Sequence, residues 1–230
     1  MTEKLERIKA IPLEEILGIE LDFRKMDVDE WTMHDESNRR AGKLVGKGED
    51  YHEYPQNFLR KDEYDYLKGN EKDNINEVFS GQIVVDLGSS WNYYGYYLAL
   101  HGGAKSYIAV DISERSKWEL PCSISHKFEK LAEDKKEIPM GFLNHEMLSF
   151  LDASKRSGLK YSFITSGYGD YPNDESLFSS RFFDKLRNML PECTSKNGGI
   201  LQNYTDLQLD GYEIISEDKV RRHSILKKIN

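Results

Sequence analysis

Three residues carry the most readable chemistry in this chain. They are Asp86 and Gly88 in the run Ile83-Val84-Val85-Asp86-Leu87-Gly88-Ser89-Ser90, and Asp111 in Ile108-Ala109-Val110-Asp111-Ile112. A glycine in the turn after a strand lets backbone come close to a ligand. An acid about 20 residues further on can accept both hydrogen bonds of a ribose diol. Holding these groups together takes a strand, a glycine turn, a helix and a second strand. Both apolar runs read as buried strands, β-branched and uncharged until their C-terminal ends. Between them, Trp91 to His101 is the length of a short helix, closed by Gly102-Gly103.

The chain has 230 residues, enough for one domain with an elaboration. A net charge of -8 argues against a nucleic-acid partner, because backbone binding runs on phosphate neutralisation. No apolar stretch approaches the length of a membrane span, and the charged N-terminus lacks the apolar core of a signal peptide. Cys122 and Cys193 have no C-x-x-C spacing and no His cluster near them, so no metal site is expected. A cytoplasmic location, with no membrane partner, is the default expectation.

Residues 1–80 read differently from the rest. Leu5 and Ile8 suggest a short helix, and Pro12 opens another over Leu13–Leu17, stopped by Gly18. From Asp22 to about Asn57 no period holds, although Trp31, Tyr51, His52, Glu53 and Tyr54 could stack on or orient a ligand. Helices are predicted over Asp62–Leu67 and Asp73–Phe79. We read 1–80 as a helical cap or lid with one long loop closing over a ligand; a loosely packed surface loop is the alternative.

Residues 81–230 alternate. Strands are predicted at 83–88, 106–112, about 138–143, 161–165 and 199–204. The helices between them fall at 91–101, 123–134, 146–156 and 175–190, the last ended by Pro191. That order predicts an α/β fold with a doubly wound, mostly parallel sheet. The tail breaks the pattern: segments near 212–215 and 223–229 are separated only by a polar turn, so they must form an antiparallel hairpin.

A parallel sheet closed by an antiparallel hairpin after its fifth strand resembles the class I, Rossmann-like S-adenosylmethionine-dependent methyltransferases, over roughly residues 75–230. The first motif of that family, acid-x-glycine at the end of strand one, falls on Asp86-Leu87-Gly88. The resemblance implies S-adenosyl-L-methionine as cofactor. It implies that Asp86 orders the loop or reaches the amino end of the methionine moiety, and that Gly88, Ser89 and Ser90 border the cofactor. Asp111, with Ile112 beside it, matches the acid that takes the ribose hydroxyls. Glu146, followed by Met147, is the nearest match to an acid near the adenine, with Asn144 as rival. Thr165 begins the segment that the fourth strand delivers toward the methyl group.

The chain departs from the family in two places. Ser90 and Asn92 stand where further loop glycines are usual, and Ser166-Gly167-Tyr168-Gly169-Asp170-Tyr171-Pro172 replaces the Asn/Asp-Pro-Pro-Tyr/Phe motif. Methyl transfer needs a base only for a protonated nucleophile; Asp170, Tyr168 and His52 are the catalytic candidates, with Glu53 beside them. The expected reaction is methyl transfer to a small molecule or a peptide side chain. The rivals are a binding or scaffold protein that keeps the fold, and an NAD-dependent oxidoreductase, which would need a sixth parallel strand.

Overall fold

A computed structural model describes residues 8–24, 59–89, 93–111, 114–166, 180–203 and 207–229. Most of the loop expected over 22–57 therefore lies outside the described residues. The N-terminal part contributes β1 (Ala10–Ile11), α1 (Leu13–Leu17), α2 (Lys61–Asn70) and α3 (Lys72–Phe79). The alternating part follows as β2 (Ile83–Leu87), α4 (Tyr93–His101), β3 (Ser106–Asp111), α5 (Glu114–Leu131), β4 (Met140–Asn144) and α6 (Met147–Ser157). It continues with β5 (Ser162–Ser166), α7 (Ser180–Cys193), β6 (Gly199–Asn203), β7 (Tyr212–Asp218) and β8 (His223–Lys228).

The strands form one sheet of eight, in the order β1-β4-β3-β2-β5-β6-β8-β7. Every pairing from β1 to β6 is parallel, and β8 runs antiparallel to both β6 and β7. The expected closing hairpin is therefore present, with Asn203 opposite His223 and Gly199 opposite Lys227. Its turn is tighter than the sequence suggested. Asp218 Oδ1 accepts from the backbone of Val220 and Arg221, each at 2.9 Å, and this folds the connection into 219–222.

The period of two along each strand sorts the core into two layers. Val84, Tyr107, Ala109, Ile164, Leu201 and Ile225 face α2, α3, α4 and α5. Val85, Ile108, Val110, Phe163, Ile200 and Leu226 face α1, α6 and α7. The helices expected as part of the cap thus have a share in this core: Tyr64 and Leu67 of α2, and Ile75, Val78 and Phe79 of α3, are buried in the first layer.

Two helix boundaries differ from expectation. α5 starts at Glu114, nine positions before the predicted Ser123, and carries Pro121 inside it. α7 likewise runs through Pro191 to Cys193. In α7 the last carbonyls find other partners. Thr194 Oγ1 donates to Leu190 O at 2.7 Å, and Lys228 Nζ donates to Pro191 O at 2.6 Å. The predicted strand from Ile138 starts instead at Met140, because Tyr96 Oη takes both backbone groups of Ile138. No helix among the described residues is long and apolar enough to cross a membrane.

Gly199 marks the tightest contact in the sheet. A Cβ there would stand 2.1 Å from Leu226 O and 2.6 Å from Val78 Cγ1. Gly199→Ala should lower stability by about 1–3 kcal/mol or more through overpacking, read as a lower urea midpoint. An unchanged midpoint would show that β6 and β8 part without cost.

Candidate functional site

Parallel strands β3, β2 and β5 lie side by side and end together, so their C-terminal ends present one row of groups. That row holds Asp111 from β3, Asp86 and the Gly88 turn from β2, and Thr165 from β5. Leu87 of β2 sits between Val110 and Thr165 in the ladder. Gly88 adopts φ of 70°, a left-handed backbone that favours glycine. The carbonyl of Val110 receives the N–H groups of Gly88 at 2.8 Å and Ser89 at 3.2 Å, so β3 itself anchors the turn.

Alternation along β2 directs Asp86 to the same face as Val84, under α4. The carboxyl is only 1% exposed. Tyr107 Oη donates to Asp86 Oδ2 at 2.8 Å, and Oδ1 has no hydrogen-bond partner among the described residues. The site exists because position 95 lacks a side chain: a Cβ on Gly95 would lie 2.3 Å from Asp86 Oδ2 and 3.0 Å from Tyr107 Oη. Burial pushes the Asp86 carboxyl up to about 8; the Tyr107 hydroxyl opposes the shift and the charge of Asp111 adds to it. Burial also raises the Tyr107 hydroxyl well above its ordinary value, so it stays a donor.

Two more buried hydroxyls in this row, Ser89 Oγ and Thr165 Oγ1, find no partner among the described residues. Buried polar atoms are normally satisfied, so three such atoms at the ends of adjacent strands, with Thr165 on the face opposite Asp86, fit a ligand that brings its own donors and acceptors. Asp111 is partly buried, and its backbone carbonyl is taken by His145 N–H at 3.1 Å and Asn144 Nδ2 at 3.2 Å.

Glu146 stands at the head of α6, where its Oε2 accepts from Ser149 N–H at 2.8 Å as a helix cap. Asn144, its rival, is turned to the Asp111 carbonyl. Met147 packs beside the second core layer. Next to them His145 accepts from Glu146 N–H through Nδ1 at 3.0 Å, and Phe23 lies against its ring with centroids 4.4 Å apart. Ser90, Ile112, Tyr168, Asp170 and His52 lie outside the described residues. Among the described residues no group of His, Cys, Asp and Glu could hold a metal ion.

Sequence reasoning missed the supports of Asp86. The signal for Gly95 was present, as an isolated glycine inside a helical, tyrosine-rich segment. Tyr107 carried none, because its role depends on a contact across two strands. Tyr96 and Tyr97 of the same helix are both fully buried. His223 is also buried, 3% exposed, with Nε2 lacking a partner among the described residues, where the sequence placed it only on the final hairpin.

No protein-family profile and no curated protein sequence matches the chain. Solved structures do. The rRNA methyltransferase AviRa of Streptomyces viridochromogenes is 11% identical at a TM-score of 0.52, covering 85% of this chain and 93% of its own. A ribosomal protein L11 methylase from Lactobacillus delbrueckii subsp. bulgaricus is 16% identical over 68% of this chain and 75% of its own, with a TM-score of 0.46. An S-adenosylmethionine-dependent methyltransferase from Agrobacterium tumefaciens is 15% identical over 66% of this chain, with a TM-score of 0.42, and this chain spans 44% of its length. The chain has the fold of the class I S-adenosylmethionine-dependent methyltransferases.

The buried acid also sets a pH dependence. Between its ordinary value of 3.8 and about 8, folded Asp86 keeps a proton that the unfolded chain gives up. Its contribution to stability is therefore whole below pH 3.8 and is lost as pH rises through about 8. Asp86→Asn keeps an acceptor for Tyr107 but cannot ionise. Urea unfolding from pH 5 to 9 should show stability falling more steeply in the wild type than in the variant. Parallel profiles would mean that Asp86 is already charged in the folded protein.

Proposed function

We propose that the chain transfers a methyl group from S-adenosylmethionine to an acceptor. One observation carries the reading: Asp86 Oδ1 and the hydroxyls of Ser89 and Thr165, all buried and lacking partners among the described residues, belong to the C-terminal ends of adjacent strands β2 and β5, where a left-handed glycine turn follows β2. S-adenosylmethionine would supply a methyl group already activated on a sulfonium sulfur.

The protein's own task is then to bind, align and exclude water. Asp111 would accept from the two ribose hydroxyls. The Gly88 turn brings backbone close, and the hydroxyls of Ser89 and Thr165 stand ready to bond polar edges of the ligand. Ser90, Ile112, Glu146 and Met147 remain the candidates for the rest of the pocket; Glu146 has one carboxylate oxygen taken by its helix cap. Asp170, Tyr168 and His52 remain the candidates for removing a proton from the acceptor. Antiparallel β8 occupies the edge of β6 where a nicotinamide enzyme would place a sixth parallel strand.

The acceptor is read less closely. The expected acceptor is a small molecule or a peptide side chain, and net charge argues separately against nucleic acid. AviRa, which shares the fold, acts by its name on ribosomal RNA, and this leaves the charge argument without support. RNA therefore stands as a second acceptor reading. It gains from the turn between β7 and β8, which carries Lys219, Arg221 and Arg222 at the end of the sheet where Asn203 meets His223. Incubation of the protein with methyl-labelled S-adenosylmethionine and separate RNA, protein and small-molecule extracts would show which fraction takes the label.

Cofactor binding has its own test. S-adenosylhomocysteine at 100 times its dissociation constant should stabilise the protein by about 2.7 kcal/mol, visible as a thermal shift. Asp111→Ala should weaken that binding tenfold or more, since the lost hydrogen bonds are charge-assisted and worth about 1.5–3 kcal/mol. No shift with S-adenosylhomocysteine would leave a scaffold that keeps only the fold. Unchanged affinity in Asp111→Ala would remove Asp111 from the ribose.

A further inference from the structure

Asp86 is held where a carboxylate is hard to keep charged. Its surroundings come from three elements. β3 supplies Tyr107, whose hydroxyl donates to Oδ2 at 2.8 Å, and Asp111, a second acid. α4 supplies Gly95, which leaves just enough room for the carboxyl, and Tyr96, whose hydroxyl is occupied by Ile138. Among the described residues, the groups that act on the charge of Asp86 are thus one hydroxyl and one like charge. A neutral acid suits that setting, while a lone buried carboxylate does not. The unpartnered Oδ1 lies two residues before the glycine turn. A cation or a charged donor network brought against that oxygen would reverse the preference, because an opposite charge favours the ionised carboxyl.

We propose that cofactor capture is linked to the loss of a proton from Asp86: the acid is held neutral by its burial between β2, β3 and α4, and ionises when the ammonium-bearing end of the cofactor, directly or through water, comes against Oδ1. The inference rests on the methyltransferase reading. The proton passes to solvent, and no bond of the cofactor forms or breaks. Tyr107 acts as a positioning residue, fixing the carboxyl through Oδ2 and leaving the buried Oδ1 without a partner among the described residues.

Calorimetric titration with S-adenosylhomocysteine, in two buffers of different ionisation enthalpy from pH 6 to 9, tests this. About one proton should be released per ligand bound near pH 6.5, falling towards none at pH 9. The dissociation constant should weaken about tenfold per pH unit below about 8, as the competent ionised fraction shrinks. 5′-Methylthioadenosine, which keeps the adenosine and sulfur but lacks the amino-acid group, should bind with no release and a flat pH profile. Asp86→Asn should abolish the release. Tyr107→Phe should keep the release but move it to higher pH, because the hydroxyl that favours the ionised form is gone.

Binding of S-adenosylhomocysteine without proton release, or release that survives in Asp86→Asn, would overturn the inference and leave the methyltransferase reading standing. If Asp86→Asn does not fold, an unmoved profile in Tyr107→Phe overturns it instead. Failure of the wild type to bind S-adenosylhomocysteine anywhere in this range would overturn the reading itself, and the inference with it.

Discussion

A buried carboxyl with one hydroxyl partner organises the centre of this sheet. Asp86 fits under α4 only because residue 95 has no Cβ. Its sole described hydrogen bond fixes Tyr107 on the neighbouring strand. Tyr96 then packs edge-on against Tyr107, 5.7 Å between centroids, and ties α4 to the start of β4 through Ile138. One side chain thus sets the seating of a helix and the point where the next strand can begin. An apolar residue of similar volume would avoid the desolvation cost that burial of an acid incurs. Perturbed acids cluster at functional sites for this reason: the fold tolerates a local cost where chemistry needs the group.

The architecture was legible because each local signal agreed with the global one. Val84 and Val85 point to opposite core layers, so β2 reads as a continuous apolar run, as a strand covered on both faces must. The polar connection after β7 is too short for a crossover, which alone forces the antiparallel ending. What escaped were features decided at a distance. Pro191 looks like a terminator in sequence, but Lys228 on β8 and the Thr194 hydroxyl serve the carbonyls around it. The early start of α5 was equally hidden, since the sequence of its first turns is polar. β1, two residues long, exists only because β4 offers an edge to Ala10 and Ile11.

The site shows the same division. Asp86, Gly88 and Asp111 could be singled out as candidates because strand-end acids and turn glycines have a fixed spacing. The structure gathers them, with Ser89 and Thr165, at one end of three adjacent strands. Glu146 was chosen by position alone, and position cannot distinguish a ligand from a helix cap. Phe23 against His145 had no signal at all, for the two rings lie far apart in sequence and meet only after α1 has packed beside β4.

The two ends of the parallel strands are finished in different ways, and the difference separates stability from function. At the N-terminal end, Ser162 Oγ donates to Val78 O at 2.5 Å and accepts from Gly199 N–H at 3.2 Å. Gly199 there lets β8 and α3 close against β6. That end is built mainly from close packing, although Ser106 Oγ at the head of β3 is buried there without a partner among the described residues. At the C-terminal end the same sheet leaves Asp86 Oδ1, Ser89 Oγ, Thr165 Oγ1 and His223 Nε2 buried without partners among the described residues. Each such atom costs stability in isolation. Most of the buried atoms without partners among the described residues thus lie where β2 and β5 deliver their last residues and where His223 begins β8 beside the end of β6. A ligand that supplies those partners stabilises the fold as it binds, so affinity for the ligand and stability of the sheet are coupled through the same few atoms.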